Sequence, residues 1–218
     1  VGYIRVSRFS ERVEEGIAKA FAEIRAELGA DPTGFVLDLR NNPGGLLDQS
    51  IILSDTFLNG GDIVSVRGRD KERNRTFKAE DGDLAKGLPM VVLINGGSAS
   101  ASEIVASALK YHDRATIMGT PSFGKGSVQT IIPMPEEGAL RLTTALYYGP
   151  DNKTIQARGV KPEIHIVSGL KPEKLRRESD LPGFLPAQKK QAIEEVATIL
   201  DETCPAIPSL RKQVGIDK

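Results

Sequence analysis

The stretch MVVLINGGSASASEIVASALKYHDRATIM, residues 90–118, changes character twice. Met90-Val91-Val92-Leu93-Ile94 has the length and β-branched content of a buried strand, and Asn95-Gly96-Gly97 breaks it. Ile104, Val105, Ala108 and Leu109 then fall on one helical face, and Ala115–Met118 reads as a second short strand. The chain opens in the same way. Val1–Val6 alternates as a strand, Ser10 is placed to cap a helix, and Val13, Ile17, Phe21, Ile24 and Leu28 form an apolar stripe that Gly29 ends. Phe35-Val36-Leu37-Asp38-Leu39 follows as a core strand, and this alternation predicts an α/β domain.

The break at 95–97 places Ser98, Ser100 and Ser102 around a helix N-terminus. Free backbone N–H groups and the positive end of the helix dipole suit such a position to a developing oxyanion. A serine hydroxyl needs a base, and the chain has only two histidines, His112 and His165. Lys125 is the other candidate, between two glycines in Ser-Phe-Gly-Lys-Gly-Ser after the strand at 115–118. To act as a base it must fall from ~10.4 to near ~7, a change of roughly 4–5 kcal/mol, which burial away from carboxylates can supply.

SASASE (98–103) and FGKGSVQ (123–129) resemble the carboxy-terminal processing, or tail-specific, proteases of serine peptidase family S41. The resemblance implies a Ser–Lys dyad with Ser100 as nucleophile, Lys125 as base and Gln129 orienting the lysine amine. DLRNNPGG, residues 38–45, matches a second signature of that family. It implies an oxyanion hole made by the amide of Ala101 and that of Gly44 or Gly45. The implied fold is the ClpP/crotonase-like α/β core with β-hairpin additions, and the implied activity is cleavage of proteins near their C-termini. No metal or cofactor is implied.

Plainer readings stand beside these. Ser100-Ala101-Ser102-Glu103 is also a capping box, a lysine on a loop is usually solvated, and two glycines after a strand make an ordinary turn. Gly119–Lys125 fits the first part of a phosphate-binding loop. Gly126 stands where the magnesium-binding hydroxyl belongs, and Val128–Ile132 reads as strand where that loop must open a helix. His112 beside Asp113 is a conceivable base pair, although adjacent residues seldom orient as a relay. Some members of the family carry an acid eleven residues beyond the nucleophile, where this chain has Tyr111.

Composition bounds the rest. The 218 residues are 39% hydrophobic and 27% charged, enough for one substantial core. Twenty-nine basic residues balance 29 acidic ones, so no nucleic-acid footprint is expected. No run is long enough to span a bilayer, and the single cysteine, Cys204, excludes a disulfide framework.

Further along, 63–69 and 75–80 read as a hairpin about Asp70–Arg73, and Leu46, Leu47, Ile51, Ile52 and Phe57 mark a helix after the glycine turn. Val128–Met134 and Ala139–Tyr148 form a second hairpin about Glu136-Glu137-Gly138, with core packing expected for Leu142–Tyr148. The peptidase core is expected over 1–167. A charged, proline-broken linker, an amphipathic helix at Ile193–Leu200 and a Pro-rich tail are expected over 168–218.

The family resemblance implies an exported, extracytoplasmic protein with a PDZ domain upstream, of which this sequence shows no trace. Partners expected on that basis are protein or peptide substrates with apolar C-termini, with a homo-oligomer or an adaptor left open. Two alternatives of other kinds are a catalytically silent protein-binding scaffold on the same fold and a crotonase-like acyl-CoA enzyme.

Overall fold

A computed structural model describes residues 1–29, 32–133, 138–166 and 176–186. In chain order, β1 (Gly2–Arg5), α1 (Val13–Leu28) and β2 (Phe35–Asp38) are followed by α2 (Leu47–Asp55) and the pair β3 (Gly61–Gly68) and β4 (Arg75–Ala79). Next come β5 (Met90–Ile94), α3 (Ala101–Tyr111), β6 (Thr116–Gly119), a hairpin of β7 (Ser127–Pro133) and β8 (Ala139–Tyr148), and the short β9 (Ile164–His165). Val1–Leu185 form one compact unit; beyond it only Pro186 is described.

β1, β2, β5, β6 and β9 are neighbours in that order, and every pairing is parallel. A parallel sheet covered by helices needs strands that are apolar nearly throughout. Met90–Ile94 meets that need, with Val92 and Ile94 fully buried. A second, antiparallel sheet has the order β4-β3-β8-β7. β3 packs against both α2 and α3, which joins this sheet to the helical layer.

The stripe on α1 holds as far as Phe21. Val13, Ile17 and Phe21 are buried, Ile24 is partly buried, and Leu28 is 46% exposed before Gly29 ends the helix at φ 64°. Phe21 stacks within 4.8 Å of Phe35 and 5.9 Å of Phe57, centroid to centroid, and so ties α1 to β2 and to the end of α2. Ser10 does not cap α1. Arg12 occupies the cap without a side-chain bond, and Ser10 contributes its carbonyl to Val13 N–H at 3.1 Å.

Two expectations are corrected. On α2 the buried face is Gln49, Ser50, Leu53 and Ser54, whereas Ile51 and Ile52 are only half-buried and Leu46 is exposed. Serines can hold core positions here because their hydroxyls bond back into the helix, Ser50 to Leu47 O at 2.6 Å and Ser54 to Ser50 O at 2.8 Å. In β8, only Ala145–Tyr148 are half-buried, and Leu142 is 49% exposed. β3 pairs with β8 only from Ala145 to Tyr148, so among the described residues Ala139–Thr144 pair with β7 alone, as a two-stranded arm.

Residues 134–137 of the expected hairpin, the expected helix at Ile193–Leu200 and Cys204 lie outside the described residues. Residues 176–186 do return to the core: Glu178 N–H donates to Phe123 O at 3.1 Å, and Gln156 Nε2 donates to Glu178 Oε1 at 3.0 Å.

Candidate active site

Three loops leave the carboxyl ends of adjacent parallel strands: residues 39–46 after β2, 95–100 after β5, and 120–126 after β6. In open α/β sheets this edge is where ligands are held. Of the residues that the Ser–Lys resemblance implies, all except Gln129 lie on these loops or at the first residue of α3.

The first two loops are sewn together. Asn41 N–H donates to Asn95 Oδ1 at 2.9 Å, and Asn95 Nδ2 donates to Asn41 Oδ1 at 2.9 Å. Asn42, fully buried, donates to Val6 O at 2.7 Å, accepts from Gly44 N–H at 2.9 Å, and offers its carbonyl to Ala99 N–H at 3.0 Å. This network separates the three serines. Ser98 is buried and donates to Leu39 O at 2.8 Å; Ser102 is buried and donates to Asn42 O at 3.0 Å. Both hydroxyls are consumed by the scaffold, and only Ser100 remains half-buried.

Ser100 sits at φ 56°, ψ −113°, a conformation that side chains rarely adopt and that clusters at functional sites. The capping arrangement with Glu103 is present, and its strong half is the carboxylate, which accepts from Ser100 N–H at 2.7 Å. The hydroxyl half faces Glu103 N–H, whose 2.8 Å hydrogen bond goes to the Ser100 carbonyl.

Gly44, at φ 98°, lies directly against this turn. A Cβ there would come within 2.7 Å of Ala99 O, 2.8 Å of Ser100 Cβ and 3.0 Å of Ala101 N. The N–H of Gly44 is used by Asn42, whereas among the described residues the N–H groups of Gly45 and Ala101 have no acceptor. A recess of about 500 Å³ lined by Arg8, Phe9, Ser10, Glu11, Arg12, Gly45 and Leu46 opens beside the second glycine.

Lys125 is half-buried, and its ammonium makes no hydrogen bond or ion pair among the described residues. Its backbone N–H donates at 2.8 Å to Oε2 of Glu103, the oxygen that also accepts from Ser100 N–H. The two backbones are therefore no farther apart than those two hydrogen bonds laid end to end. Ser100 Oγ and Lys125 Nζ are not hydrogen-bonded to each other. Gln129 is exposed on β7 at an irregularity between Val128 and Gln129, and its side chain does not bond the lysine.

Residues 1–166 match the peptidase family S41. The chain is 52% identical over 197 residues to the carboxy-terminal-processing protease of Bartonella bacilliformis, covering 87% of this chain and 45% of that protein. The chain belongs to peptidase family S41. The carboxyl-terminal-processing protease of Synechocystis is 40% identical over 75% of this chain and 37% of its own length. The photosystem II D1 C-terminal processing protease superposes with a TM-score of 0.67 at 34% identity, over 75% of this chain and 42% of that one. Mature CPAF, at 18% identity and a TM-score of 0.57 over 75% of this chain and 46% of that one, shares the fold. The S41 chain thus has the ClpP-like α/β core, and it spans less than half the length of these curated relatives.

Two other residues at this sheet edge, Glu103 and Gln156, were not visible as site residues in the sequence. Glu103 is fully buried and accepts from Ser100, Lys125, Ser122 and Gly124. Gln156, also fully buried, accepts from Gly126 N–H at 2.9 Å and so supports the lysine loop from behind. Glu103 closes the SASASE motif but reads there as a local cap, Gln156 carries no motif, and the burial that marks both is legible only in the fold. His112 is a structural residue. It caps the far end of α3, eleven residues or ~16 Å from the Ser100 end, and its Nε2 shares a 2.8 Å hydrogen bond with Asp62 O.

Proposed function

We propose that this chain carries a serine endopeptidase centre that cuts proteins near their C-termini, with Ser100 as nucleophile and Lys125 as base. The observation that carries this reading is the sorting of hydroxyls and amides at one turn. Ser98 and Ser102 are consumed by the scaffold, while Ser100 sits in a strained elbow beside two N–H groups without acceptors. Such unpaired donors, fixed before substrate arrives, are what an oxyanion requires.

Neutral Lys125 takes the Ser100 proton as Oγ bonds to the peptide carbonyl carbon, and the carbonyl electrons move to oxygen. Ala101 N–H and Gly45 N–H hold that oxyanion; Gly44 contributes the absence of a side chain, its own N–H being spent on Asn42. Collapse breaks the C–N bond, and the Lys125 ammonium protonates the leaving amine. Water, losing a proton to Lys125, then adds to the acyl carbon; collapse breaks the C–Oγ bond, and the Lys125 ammonium returns a proton to Ser100 Oγ. Gln129 orients the amine once substrate closes the site. Substrates are proteins or peptides with apolar C-termini, met outside the cytoplasm, and the recess beside Gly45 gives room next to the reacting carbonyl.

The unmade Ser100–Lys125 bond favours a second reading, a silent protein-binding scaffold on the same fold. Cleavage of an unstructured protein with an apolar C-terminus, beside Ser100→Ala and Lys125→Ala at pH 6–10, separates the two. The peptidase reading expects the parent to cut with activity rising as the base loses its proton, and both variants to be inert. If neither the parent nor a chain extended to the length of its relatives cuts, the scaffold reading takes its place.

A further inference from the structure

Glu103 is the buried titratable group that the Ser–Lys reading leaves unemployed. Its carboxylate takes Ser100 N–H at 2.7 Å and Lys125 N–H at 2.8 Å on Oε2, and the Ser122 hydroxyl at 2.6 Å and Gly124 N–H at 2.7 Å on Oε1. Ser122 in turn accepts from Val160 N–H at 2.7 Å, which anchors the clamp to the segment behind the lysine loop. A helix cap needs only the first of these bonds. The other three reach a loop 19 to 22 residues away in sequence.

Resting on the Ser–Lys reading, we propose that Glu103 is a positioning residue: its carboxylate clamps the Ser100 turn to the Lys125 loop and sets the separation at which amine meets hydroxyl. Four donors on two oxygens fill the acceptor capacity of an ionised carboxylate. A neutral acid or an amide must turn a donor toward at least one of them. Burial pushes the Glu103 carboxyl up to about 6, while the bonds from Ser122, Ser100, Gly124 and Lys125 pull it back. Among the groups that bear on it, from its own helix and from the loop, Lys125 is the one titratable residue, and it offers its backbone N–H. The clamp is closed at neutral pH and opens as pH falls through about 6.

The test compares the full chain with Glu103→Gln and Ser122→Ala by amide hydrogen exchange and by fluorophosphonate modification of Ser100 across pH 5–9. Glu103→Gln is expected to speed exchange of the Gly124 and Lys125 amides at least ~10-fold, with protection in β5 unchanged. Its Ser100 modification is expected to slow by ~100-fold, the scale of a misplaced reacting group, and the acid limb near pH 6 to vanish. Ser122→Ala, which keeps the backbone and three of the four donors, is expected to move that limb to higher pH, and it stands in if Glu103→Gln does not fold. Unchanged exchange and an unchanged limb in the variants overturn the clamp. If the parent never reacts at Ser100 yet the loop amides are released in the variants, the clamp stands and the Ser–Lys reading falls.

Discussion

At the residue scale, the centre depends on one serine being left over. Ser98 and Ser102 fix the two glycine turns against each other, so removing either hydroxyl strips a buried carbonyl, Leu39 O or Asn42 O, of a donor. Each carbonyl keeps a backbone donor, Asn42 N–H or Ala99 N–H, so Ser98→Ala and Ser102→Ala are each expected to cost about 0.5–1.5 kcal/mol in denaturant unfolding while Ser100 stays reactive within ~10-fold. Gly44→Ala is the converse. A Cβ at φ 98° would strike Ala99 O and Ser100 Cβ, so the prediction is a loss of about 1–3 kcal/mol together with ~100-fold slower chemistry at Ser100. If Gly44→Ala reacted at the parent rate, the close approach of the two turns would have no role in the chemistry.

At the element scale, α1 is held by a three-ring contact rather than by its full stripe, since Leu28 faces solvent and Phe21 touches Phe35 and Phe57. Phe21→Ala is expected to cost about 3–5 kcal/mol, read from the denaturation midpoint. The strands of the parallel sheet were legible because burial on both faces leaves a nearly unbroken apolar run, as at Met90–Ile94. The face of α2 was not, because Ser50 and Ser54 occupy core positions by bonding to their own helix, which hydrophobic periodicity misses. The motifs around Ser100 and Lys125 were legible as family signatures, and residues 1–166 match that family. Glu103 looked like a local cap at its N3 position, and its loop partners are contacts of the folded chain alone.

At the scale of the whole molecule, two carboxylates give the stability profile its sign. For Asp38, burial alone would raise the pKa, but hydrogen bonds from Arg40 and Tyr3 overcome it and hold the group at about 2. A depressed value adds stability above its ordinary range, lost as pH falls toward 2; Arg40 is half exposed, so screening keeps the amount small. Glu103 acts the other way. Its raised value gives stability that is complete below the ordinary glutamate range and lost as pH rises through about 6, on the order of 2 kcal/mol. Unfolding free energy followed from pH 4 to 7 is therefore expected to fall in the parent more steeply than in Glu103→Gln. Reactivity and stability then move in opposite directions across pH 6, as expected where a buried charge is kept to hold a site. The three loops at one sheet edge bring the Ser100 turn and the Lys125 loop together, and activation of Ser100 by Lys125 is the proposal to test. The most direct test is the site and rate of fluorophosphonate modification at pH 8, mapped by peptide mass, in the parent and in Lys125→Ala. Modification is predicted at Ser100 and at no other serine, slowed at least ~100-fold without the lysine. Equal rates in parent and variant, or modification spread over several serines, would contradict it.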